Sequence, residues 1–181
     1  MRIIAGSARG TSLLSPTGEK VRPTSDRAKE TLFNIVMPKL RDAKILDLYS
    51  GSGALGLEAL SRGSEKAVFM DANATSLDLA KKNAQKTKLL EQSVFLLGKI
   101  PEELRKIPKG PYDLIFADPP YEQGYAQLLL EKIAAGDFLT EAGWLIIEHE
   151  KSEVLPERIP PFMRFREKQI GKAKFSFYKY S

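Results

Sequence analysis

The sequence has no cysteine and a single histidine, His149. Without cysteine there are no disulfides and no thiolate zinc sites. One histidine leaves a His-based metal cluster or a Ser-His-Asp triad without partners. No apolar run approaches the roughly 20 residues that span a bilayer. The apolar part of the first six residues is too short for a signal peptide. These gaps predict a cytoplasmic protein that works without a metal and away from a membrane.

Acidic residues are also scarce in one region. Residues 1–44 carry nine Lys and Arg against four Asp and Glu, while the other 137 residues carry 19 of each. The whole net charge of +5 therefore sits in the first quarter of the chain. A basic segment beside a neutral domain is the electrostatic footprint of a polyanion reader; the plainer reading is a solvated surface. The 181 residues, 43% hydrophobic and 28% charged, suit one globular domain with a sizeable core and a small appendage.

The most informative stretch is Asp118-Pro119-Pro120-Tyr121, which follows the short apolar run 112–117. That run reads as a buried strand. The tetrapeptide then lies at the carboxyl edge of a sheet, where open α/β sheets bind ligands. Two prolines fix φ twice and remove two N–H donors. Asp118, the Pro119 carbonyl and the flat Tyr121 ring would give a planar amine-bearing base two acceptors and a stacking surface. A strand ending in an ordinary turn is the competing reading.

Upstream, the strand candidate 44–48 runs into Gly51, Gly53 and Gly56, and a helix pattern follows. This is G-x-G-x-x-G spacing in the strand-loop-helix context that gives it meaning: glycines permit a tight turn and close backbone approach to a ligand. A second strand, 67–70, ends in Asp71, twenty residues beyond Gly51. A carboxylate there can accept hydrogen bonds from both ribose hydroxyls of a nucleoside, or it can simply cap a helix.

Further strands are expected at 92–97, 112–117, 143–148, 163–167 and 173–178, and helices at 76–88 and 127–134, with a short one at 101–105. His149 reads as an ordinary strand-end residue. Residues 2–5 and 12–14 can pair as a small hairpin. A helix opens at Thr24 or Ser25 with Ala28, Leu32, Ile35 and Val36 as its apolar stripe, and Pro38 stops it. Repeated strand-helix units followed by a closing hairpin predict an α/β fold: a doubly wound, mostly parallel seven-stranded sheet with a terminal antiparallel hairpin. The loops after the first and fourth strands should meet at the ligand crevice.

The glycine loop after Asp47, the acid at Asp71 and Asp118-Pro119-Pro120-Tyr121 together resemble the S-adenosylmethionine-dependent amino-methyltransferases. Residues 2–6, Arg9-Gly10, 22–27 and 30–34 narrow the resemblance to the RsmD family, over essentially the whole chain. The resemblance implies a Rossmann-like class I S-adenosyl-L-methionine-dependent methyltransferase domain over 42–181. It also implies a basic hairpin-and-helix extension over 1–41 that binds RNA. The implied reaction is methyl transfer to the N2 amine of a specific guanine in 16S ribosomal RNA. The partner is that RNA or the small ribosomal subunit, and the protein is a monomer.

Carried over by residue, Asp47 and the turn from Gly51 to Gly53 hold the methionine moiety of the cofactor, Tyr49 and Ser50 also bind the cofactor, and Asp71 holds its ribose. Asp118 and the Pro119 carbonyl accept from the target amine, while Tyr121 stacks on the base. Arg2, Arg9, Arg22, Thr24 and Arg27 face the RNA. Gly98-Lys99 stands where related enzymes place an Asp or Asn on the cofactor adenine, leaving backbone N–H groups for that contact. Three alternatives stay open. A DNA or RNA adenine-N6 methyltransferase shares the tetrapeptide. A nicotinamide-dependent oxidoreductase would use the same glycine loop and Asp71. A non-catalytic RNA-binding module would use only the basic segment.

Overall fold

A computed structural model describes residues 1–16, 25–121 and 124–181. Lys44–Leu48 forms β1 and Ala54–Ser61 forms α2, after an N-terminal helix α1 at Asp26–Val36. Then come β2 (Lys66–Asp71), α3 (Ala74–Lys86), β3 (Ser93–Leu97), β4 (Tyr112–Ala117) and α4 (Tyr125–Ala134). The chain closes with β5 (Leu139–Glu150), β6 (Arg158–Ile159), β7 (Phe162–Ile170) and β8 (Ala173–Tyr180).

All eight strands join one sheet in the order β3-β2-β1-β4-β5-β8-β7-β6. The first five run parallel; β8, β7 and β6 are antiparallel to their neighbours. The seven expected strands are present, and the two-residue β6 is an eighth. The order reverses at β1 and β4, so their carboxyl ends flank the crevice where such sheets bind ligands.

The central strands are apolar runs because both of their faces are covered. Ile45 packs into a core shared with Leu32 and Phe33 of α1, Leu57 and Leu60 of α2, and Phe175 and Phe177 of β8. Its neighbours Leu46 and Leu48 enter the opposite core, with Leu129, Leu130 and Ile133 of α4 and Tyr178.

The first residues pair as expected. Arg2 and Ser12 form an antiparallel bridge, and the Ile3 N–H donates to the Thr11 carbonyl at 3.0 Å. This hairpin is fastened to α2. The buried Glu58 carboxylate accepts from the N–H groups of Ile4 (2.9 Å) and Ala5 (3.1 Å). It also pairs with Lys29 Nζ at 3.2 Å and Arg62 Nε at 2.8 Å. Lys29 Nζ donates in addition to the Arg2 carbonyl. The α1 stripe is therefore shifted from its expected positions: Lys29, Leu32, Phe33 and Val36 are buried, while Ala28 and Ile35 are half-buried. A lysine can occupy the apolar side because Glu58 meets it there. Ser25 is the cap, its hydroxyl accepting from the Ala28 N–H at 3.1 Å; Thr24 lies outside the described residues.

Two smaller expectations change. Residues 104–106 make a 3-10 turn where a helix over 101–105 was expected. His149 lies within β5 rather than just past it, buried, with Nε2 2.9 Å from Ser176 Oγ; burial lowers its pKa. Among the described residues, no helix is long and apolar enough to cross a membrane.

Candidate active site

The loop after β1 is held from three sides. Asp47 is buried at the end of the strand, and its Oδ2 accepts from the Gly56 N–H at 2.9 Å. A Cβ at Gly56 would lie 2.3 Å from the Phe69 ring, so only glycine lets α2 sit this close to β2. Asp71 Oδ2 accepts from the Gly51 N–H at 2.9 Å, and Oδ1 from the Asn73 N–H at 2.9 Å. The buried Asn83 donates from Nδ2 to the Ser52 carbonyl at 2.9 Å and brackets Leu14 of the hairpin through both backbone groups. Tyr49 sits at φ 58°, a left-handed conformation that costs a non-glycine residue about 1–3 kcal/mol.

Beside this loop lies a cavity of about 610 Å³ lined by Tyr49, Asp71, Asn73, Lys99, Ile100, Pro120 and Tyr125, among others. The Tyr49 and Tyr125 hydroxyls both donate to the Ile100 carbonyl, at 3.1 and 2.8 Å, and their rings meet edge to face. The walls thus combine flat apolar surface with two carboxylates, Asp71 and Glu102. The loop also carries a buried hydroxyl, Ser50 Oγ, that has no partner among the described residues. Asp71 lines the cavity, and each of its oxygens has the capacity to accept a second hydrogen bond. This donor set fits a nucleoside: Asp71 for a ribose diol, Tyr49, Ile100 and Tyr125 for a planar ring, and the loop backbone for the remainder. The Gly98 and Lys99 N–H groups are already engaged, with the Asp71 carbonyl at 3.0 Å and Glu103 Oε2 at 2.7 Å. Lys99 lines the cavity, whereas Gly98 is buried against Met70.

A second cavity, about 1010 Å³, shares Tyr49 and Pro120 with the first. Asp118, Pro119, Tyr121 and Glu148 form its floor and side; Ser25, Arg27 and Thr31 of the α1 end and Gln169 to Ala173 of the β7–β8 turn complete it. The Asp118 N–H donates to the Leu48 carbonyl at 3.4 Å, extending the β1–β4 pairing into the tetrapeptide. The carboxyl of Asp118 is pushed well above the usual range by burial, then by Glu148, then by Asp47. Burial also raises Glu148. Burial raises Asp47 to about 8, against the opposing Gly56 hydrogen bond.

The structure thus brings Asp118, Pro119, Tyr121 and Tyr49 to one junction, with Asp71 and Lys99 on the far side of Tyr49. Asp47, Ser50, Gly51 and Gly53 are not among the residues that line either cavity. Arg27 is exposed and lines the second cavity. Arg9 is exposed at the hairpin turn. Arg2 is exposed but pairs through Nε with Asp26 at 3.2 Å. Arg22 lies outside the described residues. Sequence reasoning missed Glu148, which looked like one more polar strand end. It also missed Lys172, because the even charge balance of 45–181 hides six Lys and Arg against one Glu within β7 and β8 and their turn.

The chain was compared with known proteins. A family model described as "Conserved hypothetical protein 95" matches residues 1–179. The "Ribosomal RNA small subunit methyltransferase D" of Haemophilus influenzae is 33% identical over 99% of this chain and 93% of its own length. The protein of the same name from Escherichia coli K12 is 32% identical over 99% of this chain and 89% of its own. The solved structure of yhhF from Escherichia coli superposes with a TM-score of 0.87 at 32% identity, covering 100% of this chain and 98% of that one.

Proposed function

The chain belongs to the RsmD family, the one described as conserved hypothetical protein 95, and from that premise we propose that it moves a methyl group from S-adenosylmethionine to the N2 amine of a guanine in small-subunit ribosomal RNA. The observation that carries this reading is the shared wall: the cavity that holds Asp71 and the larger cavity that holds Asp118 meet at Tyr49 and Pro120. A group-transfer enzyme needs such a junction, since donor and acceptor must approach in line.

The bound cofactor supplies a methyl group already activated on a sulfonium, so the chain has only to orient and to manage one proton. The guanine amine is a poor nucleophile because its lone pair is delocalised into the ring. Asp118 and the Pro119 carbonyl each accept one N–H of that amine, turning the lone pair toward the cofactor side of the junction. Asp118, its pKa raised by burial and by Glu148, is suited to take the proton that the amine gives up. The Tyr121 ring, half exposed at 51%, offers a stacking face to a base that has left its helix.

The substrate side is a basic rim. Arg27 and Lys172 both line the second cavity, and Arg9 is exposed at the hairpin turn. Phosphates flanking a flipped base would meet these cations. Such a substrate would place the protein's work in the cytoplasm.

The test is to incubate the protein and labelled S-adenosylmethionine with small subunits from a strain lacking this gene, then digest the RNA to nucleosides. N2-methylguanosine supports the reading. N6-methyladenosine, or label on no nucleoside, rejects it.

A further inference from the structure

Glu148 has no assigned role, yet it lines the second cavity together with Asp118 and Tyr121. Ala117 of β4 pairs with Ile147 of β5 in parallel register, so Asp118, just past the end of β4, lies beside Glu148, which is still within β5. Both line the cavity. Glu148 Oε1 accepts from the Tyr121 hydroxyl at 2.7 Å. Its Oε2 is buried and has no hydrogen-bond partner among the described residues. A buried carboxylate oxygen without a donor is costly and rare in folded proteins. Were Glu148 only an anchor for Tyr121, a neutral glutamine would serve at lower cost.

We propose that Glu148 Oε2 receives the N1–H of the target guanine while Asp118 faces the neighbouring N2 amine, so that two carboxylates side by side read two donors side by side. This rests on the guanine-N2 reading given above and adds the device that selects guanine. On the same edge adenine presents N1 as an acceptor, which a carboxylate repels. The Tyr121 bond fixes the Glu148 carboxyl plane and leaves one oxygen for the base.

The test replaces the methylated guanosine, once mass spectrometry has located it, by 2-aminopurine riboside in otherwise identical small-subunit RNA reconstituted into subunits. This analogue keeps the 2-amine and lacks N1–H. Wild type should prefer guanosine by about 10- to 100-fold in kcat/KM, the scale of one specific base contact. Glu148→Gln can offer an amide N–H to the analogue's N1, so the preference should shrink by about tenfold or more. Equal wild-type rates on the two substrates overturn the proposal without needing any variant. A Glu148→Gln enzyme slowed equally on both, its preference unchanged, also overturns it and leaves Glu148 as a support for Tyr121. If wild type places no methyl on guanosine N2 at all, the premise itself is what fails, and the proposal falls with it.

Discussion

The Tyr121 hydroxyl donates to Glu148 Oε1 at 2.7 Å, tying the last residue of the Asp-Pro-Pro-Tyr turn to the strand beside it. Tyr121 therefore has two functions, a ring for the base and a donor for a buried carboxylate. Tyr121→Phe keeps the first and loses the second. It should lower kcat/KM for small subunits by about tenfold, the scale of a hydrogen bond to a charged group. Tyr121→Ala should lose a further tenfold or more, since base-aromatic stacking contributes about 1–3 kcal/mol. Steady-state transfer at limiting subunit separates the two.

Asp71 both faces the nucleoside cavity and pins the glycine loop through Gly51. Asp71→Ala should weaken S-adenosylmethionine binding by about 1–3 kcal/mol or somewhat more. Calorimetry in the presence of a chelator measures it. An unchanged affinity would remove Asp71 from the cofactor site.

Arg27 and Lys172 approach the same cavity from α1 and from the β7–β8 turn. If each meets a phosphate, Arg27→Ala and Lys172→Ala should each reduce the slope of log affinity against log salt by about 1, less on single-stranded RNA. Cofactor affinity should not change. Filter binding to small-subunit RNA over a salt series is the check, and wild-type slopes in both variants would place the RNA elsewhere.

Lys29 and Glu58 are fully buried partners at 3.2 Å. Removing Lys29 leaves the buried Glu58 with Arg62 as its cation, a loss of up to about 3–5 kcal/mol. Lys29→Met should therefore lower the urea midpoint far more than Arg2→Ala, whose ion pair with Asp26 is exposed and is expected to contribute less than about 1 kcal/mol.

Asp47 carries a sign that can be measured. Its pKa is about 8 in the folded chain against 3.8 for the free side chain. Below pH 3.8 both states hold the proton and the penalty vanishes. Between those values the unfolded state gives up the proton and the folded state keeps it, so stability falls as pH rises, by up to about 1.4 kcal/mol per unit. Asp47→Asn keeps an oxygen for the Gly56 N–H and should remove this slope. Urea unfolding of the cofactor-free protein at pH 5.5 and pH 8 compares the two.

Much of this was legible in the sequence because it is local. β1 and β4 are mostly apolar, each interrupted by one Asp, and the glycine spacing announces the loop and α2 directly. The parts that were not legible depend on contacts distant in sequence. Lys29 breaks the apolar stripe of α1, and only Glu58, in another element, makes its burial tolerable. β5 begins at Leu139, but the exposed residues 141 and 142 interrupt its pattern. β6 is two residues long and carries no period. Glu148 acquires meaning only through its register beside Asp118, which no single strand reveals. Lys172 was masked by averaging charge over a segment whose basic and acidic residues lie on different elements.

The central claim is that Asp118 acts on the target amine at the junction of the two cavities and not on the cofactor. Single-turnover transfer of labelled methyl from S-adenosylmethionine to undermethylated small subunits, by wild type and Asp118→Ala, each at a cofactor concentration saturating by its own calorimetric Kd, tests it most directly. The account predicts N2-methylguanosine from wild type, transfer reduced by about a thousandfold or more in the variant, and cofactor affinities within about threefold of each other. Near-wild-type transfer by Asp118→Ala, or cofactor affinity lost in parallel with transfer, would contradict it.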